Sequence, residues 1–143
     1  MRKVYLDADN VDLMLVPTRP EYEYVFIQTE GDCSVTIDLK PFADTKFKIT
    51  IYIYAEGTSS VDCVCRLNIP QDVSGVESDI QIRSWPFDRS KVRARPEMFI
   101  ANSDVQAAHG NALGTLSAEQ QYYLATRGMA DYKQLIKESL LNA

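Results

Sequence analysis

The sequence predicts a mainly β domain that ends in a short helical tail. Three observations predict this class. Apolar and polar residues alternate from Tyr22 to about Val105, turn-forming residues recur about every dozen positions, and the pattern changes after Leu116. No helical pattern interrupts the strands, which argues against a βαβ fold. The strand spacing alone leaves a sandwich, a jelly roll and the rungs of a β-helix open.

The clearest strands are segments in which every second residue is apolar. They cover residues 33–39 (CSVTIDL), 47–54 (FKITIYIY) and 61–69 (VDCVCRLNI). Weaker strands are predicted at residues 22–28, 76–83 and 98–105. The turns between strands are supplied by TEGD, KPFADT, AEGTSS, PQDVSG and SWPFDRS.

The tail begins with the capping sequence SAEQ, in which Ser117 caps a helix and Gln120 reaches back to it. This helix is expected to run to about Ala125, with Gly128 just after its end. The segment ADYKQLIKESLL predicts a second short helix. Its apolar stripe contains Leu135, Ile136 and Leu140.

The chain has 143 residues, a net charge of −5 and a sequence pI near 4.8. This length suits one domain, with a β core in residues 1–116 and a packed tail in residues 117–143. The acidic charge argues against nucleic-acid binding. No apolar run approaches the roughly 20 residues that span a bilayer. The amino-terminal segment MRKVYLDADNVDLMLVP lacks the unbroken apolar stretch of a signal peptide, and the cysteines form no disulfide framework, so we expect a cytoplasmic protein.

Cys63 and Cys65 form a C-x-C pair on one face of a predicted strand. That arrangement suits thiolate ligation of a soft metal. The same face carries Val61 and Leu67, so core packing is the favoured interpretation and metal binding the alternative. Cys33 lies on an equally apolar face and receives the same interpretation.

His109 is the only histidine in the chain and lies where the strand pattern ends. Imidazole is a common metal ligand and proton carrier. However, no second histidine and no neighbouring carboxylate completes a metal-binding motif with it. The local residues therefore favour a structural or surface histidine.

Two further surfaces are open to either a binding or a structural interpretation. A basic patch in an acidic chain suits an anion or an acidic partner, or a solvated strand edge. It contains Arg83, Arg89, Lys91, Arg93 and Arg95. A set of strand tyrosines suits a binding or dimer surface, or ordinary cross-strand packing. It contains Tyr22, Tyr24, Tyr52 and Tyr54.

The last third of the chain contains RPEMFIANSDVQAAHGNALGTLSAEQQYYLATRGM. This segment resembles the carboxyl-terminal signature of the SufB/SufD family, the scaffold subunits of the SUF iron–sulfur cluster assembly system. The resemblance rests on a proline, an alternating strand, Asp-Val, His-Gly, a later glycine, a Tyr-Leu helix and Arg-Gly. The matching residues are Pro96, Met98, Ile100, Asp104, Val105, His109, Gly110, Gly114, Leu116, Tyr123, Leu124, Arg127 and Gly128.

The resemblance implies a short right-handed parallel β-helix-like stack of strands with a C-terminal helical tail. It implies a scaffold or adaptor that is not itself an enzyme and that forms a homo- or heterodimer through the β core. His109 would be the cluster or iron contact, and a transient iron–sulfur cluster is the cofactor that this implies. The tail would contact an ABC-type ATPase through Tyr122, Tyr123, Leu124 and Arg127.

The chain also departs from this family pattern. Family members are usually far longer, and SufD-type sequences often carry a cysteine where this chain has Ala107. Two alternatives therefore stay open. One is a non-catalytic homodimeric interaction module of the same fold, and the other is a small jelly-roll or sandwich binding domain.

Overall fold

The computed structural model describes residues 2–113 and 132–141. Within these residues the chain forms nine strands and one helix. The strands are β1 (Arg2–Leu6), β2 (Asn10–Leu15), β3 (Glu21–Gln28), β4 (Asp32–Leu39), β5 (Lys46–Ala55), β6 (Ser60–Ile69), β7 (Val76–Pro86), β8 (Lys91–Ile100) and β9 (Val105–Leu113). The helix, α1, is Tyr132–Leu141.

Consecutive strands alternate between two parallel sheets. Sheet A has the order β1-β3-β5-β7-β9, and sheet B has the order β2-β4-β6-β8. Every pairing in both sheets is parallel. The chain therefore winds as a β-solenoid in which each turn adds one strand to each sheet. This confirms the predicted parallel β-helix. The jelly-roll and sandwich alternative is wrong because those folds are built from antiparallel sheets.

The inward faces of both sheets form one core, and the parallel register stacks like positions on each other. Ile49 of β5 pairs with Ile80 of β7, and Cys63 of β6 pairs with Val35 of β4. The alternation in the three clearest predicted strands thus marks inward positions correctly. Fully buried inward residues include Ile37, Leu39, Ile49, Ile51, Ile53, Cys63, Cys65 and Leu67.

Two parts of the strand prediction differ from the structure. Strands β1 and β2 were not predicted, because each is the first described strand of its sheet and is less apolar than the central strands. The predicted strand at residues 98–105 is wrong. The chain turns at residues 101–104, between β8 and β9. Strand β8 shows only a weak alternation of apolar and polar residues. Its inward positions include Ala94 and Pro96, and its outward positions include arginines.

Aspartates with positive φ shape two of the turns. Asp7 has φ 47° and Asp88 has φ 58°, a left-handed conformation that aspartate tolerates better than most residues. The Asp7 carboxylate accepts hydrogen bonds from the backbone N–H of Thr29 at 2.6 Å and from its hydroxyl at 2.8 Å. The Asp88 carboxylate accepts one from the Gly57 N–H at 2.9 Å. Each aspartate therefore ties one turn of the solenoid to the next.

Helix α1 covers part of the outward face of sheet A. Ile136 and Leu140 are buried against Val25, Ile27 and Tyr54. The second predicted helix is therefore confirmed, and its apolar stripe faces the sheet. The first predicted helix, from Ser117 to about Ala125, lies outside the described residues. Within the parts of the chain that the structure describes, no helix is long and apolar enough to cross a bilayer.

Charged contacts hold α1 at three points along its length. Lys133 pairs with Asp88 at 2.9 Å, and Lys137 pairs with Glu56 at 2.8 Å. At the carboxyl end, the Arg2 guanidinium donates to the carbonyl oxygen of Leu140 at 2.9 Å. A cation there satisfies a free helix carbonyl and complements the helix dipole. The helix thus crosses sheet A from the β7–β8 turn to β1.

The tyrosines separate into two environments. Tyr22 and Tyr24 point inward and belong to the core. Tyr54 is fully buried beneath α1, while Tyr52 is partly buried and stacks on Trp85 with ring centroids 6.2 Å apart. These four residues therefore serve packing and do not form an exposed tyrosine row.

Candidate functional site

The candidate site is the end of the solenoid formed by β8 and β9, which we call the open end. Among the described residues, β8 is the last strand of sheet B and β9 the last strand of sheet A. In this part of the chain β8 pairs with β6 alone and β9 with β7 alone. Inward side chains on these two strands are consequently less covered than those of the preceding turns. The open end therefore exposes positions that are core elsewhere in the fold.

The sequence pattern suggested that His109 lies at a junction between strand and helix. In the structure it lies within β9. It pairs with Ile80, which pairs with Ile49, which pairs with Tyr22. All three of these partners are buried inward residues. His109 therefore stands on the inward face of sheet A, but it is exposed because it belongs to the last described strand.

Asn111 occupies the next inward position on β9. It pairs with Ile82, so a polar residue again replaces the isoleucine of the preceding turn. Its side-chain Nδ2 donates a 2.6 Å hydrogen bond to the carbonyl oxygen of Ala94 on β8. Asn111 was not among the residues that the sequence singled out. One feature of the sequence could have indicated it: Asn111 follows His109 by two residues, so the two side chains lie on the same face of the strand.

Small residues surround the imidazole on its own strand. Ala107 has only a methyl side chain and Gly110 has none, so these positions cover little of the β9 backbone. The amide of Gln81 on β7 lies over Gly110, where a Cβ would overlap it. Gln81 in turn donates to the Asp79 carboxylate at 2.7 Å. The outward face beside His109 is therefore polar, whereas the inward face on which it lies is continuous with the core.

Cys63 and Cys65 lie one turn deeper than the open end, and Cys33 lies two turns deeper. Cys63 pairs with Ala94 and Cys65 with Pro96, and both thiols are fully buried. Burial raises the pKa of the Cys63 thiol to about 12, with Asp62 and Cys33 adding to the effect. Burial raises the pKa of Cys65 as well. Metal ligation requires the thiolate, so these residues act as small apolar core residues in the folded chain.

The acidic and thiol side chains do not converge around His109. No group of three or more histidine, cysteine or acidic residues within the described ranges can hold a metal ion. Any metal or cluster held at His109 would thus need further ligands from outside the described residues.

The basic patch forms the outward side of the open end on sheet B. Lys91, Arg93 and Arg95 alternate with inward residues on β8 and are exposed. Arg95 lies 3.9 Å from Asp62, an ion pair in which both side chains are half exposed. Such pairs contribute little, about 0–1 kcal/mol. Arg83 lies on the outward face of β7 in sheet A and Arg89 in the following turn, so the five basic residues are divided between the two sheets and that turn.

The predicted ATPase-contact residues cannot be placed in this geometry. Tyr122, Tyr123, Leu124 and Arg127 lie outside the described residues. Of the tail, the structure describes only α1, whose buried face is directed at sheet A.

The fold and the open end together define a parallel β-solenoid whose mainly apolar inward face carries an exposed histidine and an exposed asparagine on its last described strand. Residues 48–134 match the family model of the SufBD core domain of the SUF system for FeS cluster assembly. This match covers more than half of the 143 residues, and the chain belongs to that family. It includes β6 to β9 and His109. No curated protein matches the chain.

Proposed function

We propose that this chain is a SufB/SufD-like scaffold subunit that presents His109 to a nascent iron–sulfur cluster at the open end. The observation that carries the proposal is the position of His109. The imidazole is exposed, yet it lies on the inward face in register with buried Ile80. Imidazole is a good ligand for iron. The family membership supplies the chemical context in which such a ligand is useful.

The remaining ligands would come from a second scaffold chain paired through the open end. Both thiols nearest to the site, Cys63 and Cys65, are buried and protonated. In the part of the chain that the structure describes, β8 and β9 each have one edge without a strand partner, and such an edge offers backbone donors and acceptors on which another strand can pair. A thiolate carried by the partner would then complete the coordination that His109 begins.

Catalysis of nucleotide hydrolysis is assigned in this proposal to an ABC-type ATPase partner that contacts the tail. The chain itself is then a scaffold and not an enzyme. The candidate contacts are Tyr122, Tyr123, Leu124 and Arg127. The packing of α1 on sheet A supports the proposal, because it would couple the tail mechanically to the solenoid.

One observation favours a second candidate function, a homodimeric interaction module without iron chemistry. The described residues near His109 contain no accessible thiol and no cluster of metal-binding side chains. A chain of this kind would use the open end only for pairing.

An anaerobic affinity purification from the native host separates the two functions. The scaffold proposal expects iron and sulfide to co-purify together with a longer scaffold chain or an ABC-type ATPase identified by mass spectrometry. His109→Ala should lose the iron while keeping the partner proteins. Gln106→Ala is the matched control, since Gln106 is exposed on the outward face of the same strand. Iron-free protein recovered only with itself would overturn the proposal in favour of the interaction module.

A further inference from the structure

The carboxyl-terminal half of β9 is weakly held by packing. Val105 and Ala107 are partly buried against the core, but His109, Asn111 and Leu113 are exposed. Leu113 is 68% exposed. Burial thus decreases along the strand toward its end. Among the described residues, β7 is the only strand that pairs with β9, so one edge of this half of the strand is paired within that part of the chain.

A polar contact replaces apolar packing at this point. In the preceding turn, Ile82 fills the inward position that Asn111 occupies in β9. Asn111 instead reaches across the open end, and its amide donates to the Ala94 carbonyl. Within residues 2–113 and 132–141, this is the only side-chain hydrogen bond that joins β9 to β8. Ala94 belongs to the last described strand of sheet B, where carbonyl groups on the outer edge have no strand partner among the described residues.

We infer that Asn111 is a positioning residue, which ties β9 to β8 and thereby fixes the direction of the His109 imidazole. Residues two apart on a strand share one face, so a rotation of β9 that broke the Asn111 contact would also turn His109. The consequence for iron rests on the proposed function. The positional effect itself does not depend on it.

The variants are chosen to change the donor without changing the shape. Asn111→Asp has nearly the same volume, but its carboxylate cannot donate to the Ala94 carbonyl. Asn111→Gln keeps the amide donor on a longer side chain and is the rescue variant. Gln106→Ala again serves as the control on β9. Asn111 is exposed, so all of these proteins are expected to fold, which circular dichroism verifies.

Two measurements on the isolated chain test the positional effect. Amide hydrogen exchange in residues 107–113 should become about fivefold faster in Asn111→Asp, the change expected for one lost hydrogen bond, while β5 is unchanged. The imidazole proton signals need no assignment because the chain has a single histidine. They should shift and broaden in Asn111→Asp and return toward their original positions in Asn111→Gln.

Iron content in the anaerobic purification provides the functional readout. It should fall in Asn111→Asp and recover in Asn111→Gln. One outcome overturns the role of Asn111 and leaves the scaffold proposal unaffected. In it, His109→Ala loses iron, whereas Asn111→Asp keeps its iron and shows unchanged His109 signals. Iron retained in His109→Ala overturns the scaffold proposal, whereas broadened imidazole signals together with faster exchange of residues 107–113 in Asn111→Asp would still support the positional effect. Faster exchange of β9 with unaltered His109 signals would make Asn111 merely structural.

Discussion

His109 of β9 is the direct strand partner of Ile80 of β7. The two residues occupy the same inward position in successive turns, yet Ile80 is fully buried and His109 is exposed. The difference arises because, among the described residues, another strand of sheet A lies on each side of β7 but on one side of β9. A position that demands an apolar residue in one turn therefore tolerates a polar residue in the next.

Replacing His109 should have little effect on folding. His109→Ala is expected to change the free energy of unfolding by no more than about 0.5 kcal/mol, because the side chain is exposed. Ile80→Ala, one turn away, should cost about 2–5 kcal/mol by leaving a cavity in the core. Urea denaturation measures both values. A loss above about 2 kcal/mol in His109→Ala would mean that the imidazole belongs to the core.

The cysteine thiols should be unreactive in the folded chain. Cys33, Cys63 and Cys65 are all buried, and the raised pKa of Cys63 leaves almost no thiolate at pH 8. Labelling with a thiol-specific disulfide reagent should therefore be negligible under native conditions. After denaturation all three cysteines of the sequence should react. Rapid labelling of the native protein would contradict the burial of this strand face.

The Asp7 carboxylate should stabilise the fold in a pH-dependent manner. Partial burial raises its pKa, but hydrogen bonds from Thr29 and Glu30 outweigh that effect and leave the pKa below its usual value. The unfolded chain then binds the proton more readily than the folded chain does. This stabilisation is fully present above the ordinary aspartate pKa of about 4. It decreases as the pH falls through the lower pKa that Asp7 has in the folded chain.

Asp7→Asn should flatten this part of the pH profile. Urea midpoints between pH 2 and pH 5 measure the slope, and asparagine also tolerates the positive φ of the position. Asp7→Ala removes the acceptor as well, so it should cost about 1 kcal/mol at neutral pH. An Asp7→Asn slope equal to that of the unmodified chain would exclude this carboxylate as a source of acid sensitivity.

Helix α1 should depend on its two buried side chains. Ile136→Ala removes a side chain that is 7% exposed, and the local free energy of opening should fall by about 2 kcal/mol. Hydrogen exchange in α1 should accelerate while the solenoid strands stay protected. Leu141→Ala is the matched control, because Leu141 is 43% exposed on the same helix. Equal effects of the two substitutions would contradict the described packing.

The emission of Trp85, the only tryptophan, reports on the same event. Trp85 packs against the cluster that α1 covers. Release of the helix should therefore shift its fluorescence to longer wavelength in Ile136→Ala and leave it unchanged in Leu141→Ala.

The ion pair between Lys137 and Glu56 should contribute measurably to helix docking. Its atoms lie 2.8 Å apart, and the side chains are only 22% and 23% exposed. Lys137 also lies 5.3 Å from the centre of the Tyr54 ring. A double-mutant cycle of Lys137→Met and Glu56→Gln should give a coupling energy of about 0.5–1 kcal/mol that decreases at high salt. A coupling near zero at low salt would show that this ion pair does not contribute to helix docking.

The sequence by itself determined which side of each central strand faces the core. In residues 47–54 and 61–69 every second residue is apolar, and those residues are buried. It also determined α1, because the spacing of Ile136 and Leu140 suits one helix face. The burial of Cys63 and Cys65 follows from the same alternation. These features are local, and a local pattern is sufficient to specify them.

Only the tertiary structure decided how the strands pair and what lies at the open end. Alternation indicates which face is buried but not which strand is the neighbour, so it left parallel and antiparallel arrangements open. The exposure of His109 depends on its place in the last described strand, and its apolar neighbours come from other turns. Asn111 and Ala94 are 17 positions apart, and they meet only because one turn of the solenoid brings the ends of β9 and β8 together.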